Sequence, residues 1–141
     1  MKKTNQIMGI DKAMTEGVST AVLLQLIKFT SAEVEREFDI GLTYDLPLLK
    51  GRRLPVRATL ARLRPLAQQP NSALIVGLGG DLDHWSVALS VGQGFLKLFD
   101  SNGTSHIWVS RIRMSHEKRL RAAVECVIGR GSVIHLSRAA S

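Results

Sequence analysis

Cysteine is nearly absent from this chain: Cys126 is the only one. A single thiol can form neither an internal disulfide nor a multi-cysteine metal site, so the fold needs no oxidising compartment and a reducing cytoplasm is the expected location. Long apolar runs are missing too. The longest, Val18 to Ile27, is interrupted by Gln25 and is about half of the roughly 20 residues that cross a bilayer, so no membrane span is expected. The basic start Met1-Lys2-Lys3 leads only into the short stretch Ile7 to Ile10 before Asp11 and Lys12, which argues against a secretory signal. Aromatic residues amount to 5%, and acidic residues are outnumbered, 12 against 19 basic ones, giving a net charge of +7. That balance favours acidic partners without naming one.

What remains is ordinary and sufficient. A chain of 141 residues, 45% hydrophobic and 22% charged, can bury one real core. No internal repeat, low-complexity tract or linker divides it, so residues 1–141 read as a single domain, with 1–14 as a mobile N-terminal segment.

Apolar residues from Val18 to Phe29 surround nearly the whole helical circumference and predict a buried central helix. Thr30 followed three residues later by Glu33 is a capping-box signal for a second, short helix, Ser31 to Phe38, with an acidic exposed face. Gly41 to Pro55, punctuated by Gly41, Pro47, Gly51 and Pro55, reads as a loop. A helix from Val56 to Pro65 follows, with Val56, Leu60, Leu63 and Ala67 forming one inward stripe.

After Pro70-Asn71 the period changes. Ala73 to Leu78, His84 to Val91, Phe95 to Asp100 and His106 to Val109 read as strands of a meander, with Gly92-Gln93-Gly94 closing a hairpin and Ser101-Asn102-Gly103 marking the next turn. Ser115 to Ile128 reads as a helix stopped by Gly129, and Ser132 to Leu136 as a last strand. Helices followed by antiparallel strands make an α+β order, with the N-terminal central helix packed on the sheet.

The chemistry concentrates at Asp83-His84-Trp85-Ser86-Val87 and Leu98-Phe99-Asp100. If the hairpin loop pairs Val91 with Phe95, Ser86 lies opposite Asp100 and His84 is two residues away on the same strand face. A histidine and a carboxylate become neighbours, and a two-residue turn would break the pairing. Such a pair suits acyl transfer, because the carboxylate fixes the imidazole tautomer and stabilises the imidazolium formed when the ring takes a proton from a nucleophile.

Here the chain resembles the papain-like cysteine peptidases, in particular the bacterial branch of bacteriocin leader-peptide processing peptidases. His84-Trp85-Ser86-Val87 is similar to that family's histidine motif, and Asp100, sixteen residues on, ends the following strand as the family's Asp or Asn does. Gly17-Val18-Ser19-Thr20-Ala21 resembles the Gly-x-Cys-x-Ala stretch at the start of the family's central helix. The resemblance covers Gly17 to Ile112 in element order. It implies a papain-like fold, an extended peptide or protein substrate, His84 as general base, Asp100 as its orienting partner and Ser19 at the nucleophile position.

The family's cysteine is missing. A shift of one or two residues would place Gly17 rather than Ser19 at its position. A family-type oxyanion glutamine is also not found, since Ala13 stands where it is expected and Gln6 lies too early unless the loop is longer. Ser19 has three readings: an ordinary first-turn helix residue, a serine standing where relatives keep cysteine, or an introduced replacement. A hydroxyl ionises far less readily than a thiol, so loss of activity is the expected consequence.

Cys126 does not replace the missing nucleophile. It lies with Ala122, Ala123 and Val127 on one apolar side of the expected last helix, near a C-terminal end whose dipole raises a thiol pKa, and reads as a core residue. No Cys or His spacing accompanies it, so neither metal nor cofactor is expected. His106, His116 and His135 read as structural or solvated, and Trp85 and Trp108 as sheet packing. Gly77, Gly79 and Gly80 resemble a phosphate loop only superficially, because no helix and no lysine follow. They read as a flexible connection before His84.

Arg52, Arg53, Arg57, Arg62 and Arg64 support an alternative of a different class, a non-enzymatic basic module that binds an acidic protein or, less readily, nucleic acid. A solvated helix face is the plainer account of these arginines.

Overall fold

The computed structural model describes residues 19–80, 82–100, 103–117 and 126–139. They belong to two compact units, Met1–Thr43 with Arg138–Ser141, and Tyr44–Ser137. The expected segment 1–14, the Gly17-Val18 stretch, the turn residues Ser101 and Asn102, and Ala122 and Ala123 lie outside the described residues. The α+β class is borne out, with two α-helices and an open, mostly antiparallel sheet of eight strands.

The first unit carries α1 (Thr20–Phe38). Ser19 is its N-cap, and its Oγ accepts a hydrogen bond from the Val22 N–H at 3.3 Å. The break expected at Thr30 does not occur. The capping signal ends a helix only where the backbone leaves helical dihedrals, and the segment Thr20–Phe38 holds neither glycine nor proline to force that. Asp39 ends α1 in the left-handed region (φ 55°), its N–H donating to the Glu35 carbonyl. Val22 and Ile27 are buried, whereas Phe29 and Phe38 are exposed, so the expected burial on most sides is not met.

In the second unit, α2 (Val56–Gln68) presents the expected stripe, with Leu60 and Leu63 buried and Val56, Leu66 and Ala67 packed against the core. It runs past Pro65 instead of ending there. Pro65 removes one N–H and crowds the carbonyl of Ala61, and both residues are exposed, so the helix carries the proline on its outer face, away from the core.

The strands are β1 (Leu42–Asp45), β2 (Ser72–Gly80), β3 (His84–Val91), β4 (Phe95–Phe99), β5 (His106–Trp108), β6 (Ile112–Met114), β7 (Cys126–Ile128) and β8 (Val133–Arg138). Their order is β1-β8-β2-β3-β4-β5, with β7 pairing the end of β2 and also β6. The meander is therefore β2 to β5. Strand β1 lies inside the segment read as a loop, because its four-residue alternation is hidden among glycines and prolines. Val109 leaves β5 and begins a 3₁₀ turn.

Cys126, Val127 and Ile128 form a strand and not the end of a helix: they pair in parallel with Ile112–Met114, and Gly79 and Gly80 lie opposite Val127 and Cys126. Ser115 to Glu117 is a turn, and the part of the expected helix between Glu117 and Cys126 lies outside the described residues. The β-branched Val127-Ile128 pair fits a pleated surface with a free neighbouring edge. The dipole argument about the Cys126 thiol falls with the helix, while its burial stands at 0% exposure.

One face of β2 to β4 builds the core. Leu74, Val76 and Leu78 alternate inward, with Ala88 and Leu98 on the same side, and meet Leu60 and Leu63 of α2.

Candidate functional site

The hairpin β3–β4 brings the two predicted partners together by a route the sequence did not disclose. Near its tip the pairs are Val91 with Leu96 and Ser90 with Lys97, and the Gly92 N–H donates to the Phe95 carbonyl. The predicted Val91–Phe95 pair is absent. That tip register, carried through, would shift the far end by one residue and separate His84 from the carboxylate. A bulge at Leu89 restores the parity: beyond it Ala88 pairs with Leu98 and Val87 with Phe99. Continued one step beyond the last pair, this register sets Ser86 opposite Asp100, the parity that the sequence reading required. Ser86 is buried and donates from its Oγ to the Phe99 carbonyl at 3.3 Å.

His84 opens β3 and Asp100 follows β4. His84 Nε2 lies 2.7 Å from Asp100 Oδ1. The Asp100 side chain is 0% exposed and that of His84 18% exposed, so the contact is screened little by solvent. His84 Nδ1 lies 2.7 Å from the Leu82 carbonyl oxygen. A carbonyl only accepts, so Nδ1 donates to it, while Nε2 faces the Asp100 carboxyl group. With both acceptors in place, the cationic form of the ring is the favoured one. The Leu82 carbonyl is the main cause that raises the His84 pKa above 6.5; burial opposes it, and the hydrogen bond to Asp100 with the charges of Asp100 and Asp83 adds to the rise.

On the other face of the sheet, Ile75, Val87 and Phe99 are successive cross-strand partners. With Trp85, Ser86 and Asp100 they line a shallow groove of about 310 Å³. Phe99 is 74% exposed there. Asp100 links the two features, bonding to His84 and contributing to the groove wall. Gly77 is a packing surface and no flexible connection: it lies within β2, and a Cβ on it would meet the Trp85 ring at 3.1 Å. The turn before His84 does hold a special conformation, with Gly80 at φ 77°.

Ser19 belongs to the first unit and the dyad to the second. The structure gives Ser19 the task of capping α1. Of the five arginines, two hold the hairpin tip: Arg64 donates to the Val91 and Gly92 carbonyls at 2.9 and 3.2 Å, and Arg57 to the Gln93 carbonyl at 3.3 Å. Arg52, Arg53 and Arg62 are exposed.

The remaining histidines have local partners. His116 Nε2 bonds the Leu54 carbonyl at 2.9 Å, His106 packs edge-on against Phe95 and Trp108, and His135 is buried on β8 with Nδ1 3.7 Å from Asp45. Among the described residues no group of three or more His, Cys, Asp or Glu side chains is placed to hold a metal. No helix among them is long and apolar enough to cross a membrane. The participants that sequence reasoning missed are the Leu82 carbonyl and the Leu89 bulge. A backbone oxygen carries no residue signature, and the bulge is signalled only by a hairpin tip too short for the register that the two apolar patterns demand. Protein-family models, curated protein sequences and solved structures yield no match to this chain.

Proposed function

We propose that the chain is a papain-like peptidase-type domain that binds or cleaves an extended peptide, with His84 as general base, Asp100 as its orienting partner and Ser19 at the nucleophile position. The observation that carries this reading is the 2.7 Å contact between His84 Nε2 and Asp100 Oδ1, in the chain order histidine then carboxylate. A buried carboxylate on one ring nitrogen sets the ring orientation and stabilises its cationic form, which is the function of that pair in acyl transfer. The groove beside Asp100, with its apolar walls, supports a peptide as the bound chain. In a site suited to a thiolate–imidazolium pair a serine hydroxyl weakens or abolishes the chemistry and leaves the binding.

The test is Ser19→Cys in the full chain. Its thiol is expected to alkylate well below pH 8.5, the range of a free cysteine, to lose that reactivity on adding His84→Ala, and to cleave members of a peptide library, read by mass spectrometry. A thiol that titrates as an ordinary cysteine, with no cleavage, overturns the reading. Steeply salt-dependent binding of an acidic protein or oligonucleotide in its place would favour the basic-module alternative.

A further inference from the structure

Both nitrogens of His84 are committed to acceptors, Nε2 to Asp100 and Nδ1 to the Leu82 carbonyl. A ring donating from both nitrogens has no lone pair to offer, so the dyad as it stands cannot take a proton from a nucleophile. The acceptor on Nδ1 is the backbone two residues upstream, and the direction of that carbonyl depends on the peptide plane between Leu82 and Asp83. One side of the plane is anchored, since the Leu82 side chain packs against the core. The other side is set by Asp83, which is exposed and holds φ 47°. Asp and Asn enter this left-handed region far more readily than other residues with a side chain, and β-branched residues hardly at all.

We propose that Asp83 is a positioning residue: its left-handed turn aims the Leu82 carbonyl at Nδ1 and holds His84 in a resting state that donates from both nitrogens. The proposal deepens the reading of His84 and Asp100 as a reactive dyad by adding what regulates it. The dyad becomes a base only when the carbonyl leaves Nδ1 and a nucleophile takes its place. The charged groups that act on the ring are Asp100, from the end of β4, and Asp83, from its own turn. Asp83 therefore has two separable effects, one through its charge and one through its backbone.

Two substitutions separate them, read by NMR of the ¹⁵N-labelled His84 ring in the full-length protein. In the unsubstituted chain a slowly exchanging Nδ1–H is expected at neutral pH, facing the Leu82 carbonyl, with the ring titrating at a midpoint above 6.5. Asp83→Asn keeps the left-handed conformation and removes the charge, so the Nδ1–H signal stays and the midpoint falls slightly. Asp83→Val opposes that conformation, so the Nδ1–H signal is lost and the midpoint falls further. An unprotonated Nδ1 at neutral pH in the unsubstituted chain overturns the proposal without recourse to any variant. So does a folded Asp83→Val, or the milder Asp83→Ala, that retains the Nδ1–H signal of Asp83→Asn. None of these readouts uses peptide cleavage: a Ser19→Cys chain that still fails to cleave when Asp83→Val has freed Nδ1 defeats the peptidase reading and leaves the hold of the turn on His84 intact.

Discussion

Asp100 Oδ1 lies 2.7 Å from His84 Nε2 although sixteen residues separate them and the hairpin between them changes register on the way. The bulge at Leu89 makes the contact possible. Strand β3 carries one residue more than β4 needs, and the extra residue, 48% exposed, absorbs the mismatch between a short tip and the pairing at the open end.

Deleting Leu89 is therefore expected to be tolerated. The pairs Ser90–Lys97 and Ala88–Leu98 on either side of the bulge become consecutive, and the inward alternation is kept. The His84 ring signals and the unfolding midpoint should stay close to those of the parent, with a change in stability of about 1 kcal/mol or less. Loss of the Nε2–H signal on deletion would show that the bulge shapes the site and does not merely correct the register.

Asp100→Asn is expected to lower the His84 pKa, because the variant removes the charge that favours the imidazolium. The sign for stability follows. A histidine whose folded pKa is raised contributes stability that is fully present below 6.5 and is lost as pH rises through the folded pKa. Denaturant unfolding should therefore show a parent that weakens with rising pH above 6.5, and an Asp100→Asn protein in which that loss is smaller. Identical pH dependence in the two would mean that the carboxylate does not hold the cation.

Arg64→Ala tests the fate of the basic residues. Arg64 holds two hairpin carbonyls, and hydrogen bonds from a charged donor contribute about 1.5–3 kcal/mol. The substitution should destabilise the protein by an amount of that order, whereas Arg52→Ala, at an exposed position, should cost about 0.5 kcal/mol or less. Equal losses would return Arg64 to the solvated face that the sequence suggested.

Ser19→Ala removes the N-cap of α1 and should cost about 1 kcal/mol. Ser19→Asp, which also caps, should restore it. Thermal unfolding followed by circular dichroism reads both. A loss in the alanine variant that aspartate does not repair would point to a role of the hydroxyl beyond capping.

Much of this was legible in the sequence. The inward stripe of α2 and the strands from β2 to β5 follow from periodicity, which depends only on the chain's own spacing, whereas Cys126 is buried as expected but on a strand and not on the helix that suggested it. The pairing of His84 with Asp100 was legible for the same reason: alternation sets which residues share a face, and two apolar strands that must both bury one face leave few registers. Their agreement survived even though the tip of the hairpin was read incorrectly.

What periodicity could not decide were the places where local signals compete and a partner arbitrates. Thr30 with Glu33 signals a helix start as well as it fits a helix interior, and α1 runs through it. Cys126 to Ile128 suits a helix end or a strand, and the edges offered by Gly79 and by Ile112–Met114 make it a strand. Pro65 suits a helix end, yet α2 continues past it with Pro65 and Ala61 both on its exposed face. The chain by itself determined the inward alternation of β2 to β4 and the inward stripe of α2, because those follow from spacing along one element, and it set His84 and Asp100 at the ends of strands that the bulge at Leu89 brings into register. Only the tertiary structure decided the state of that histidine, because the acceptor on its second nitrogen is a backbone carbonyl, and a carbonyl's direction is a property of the folded turn.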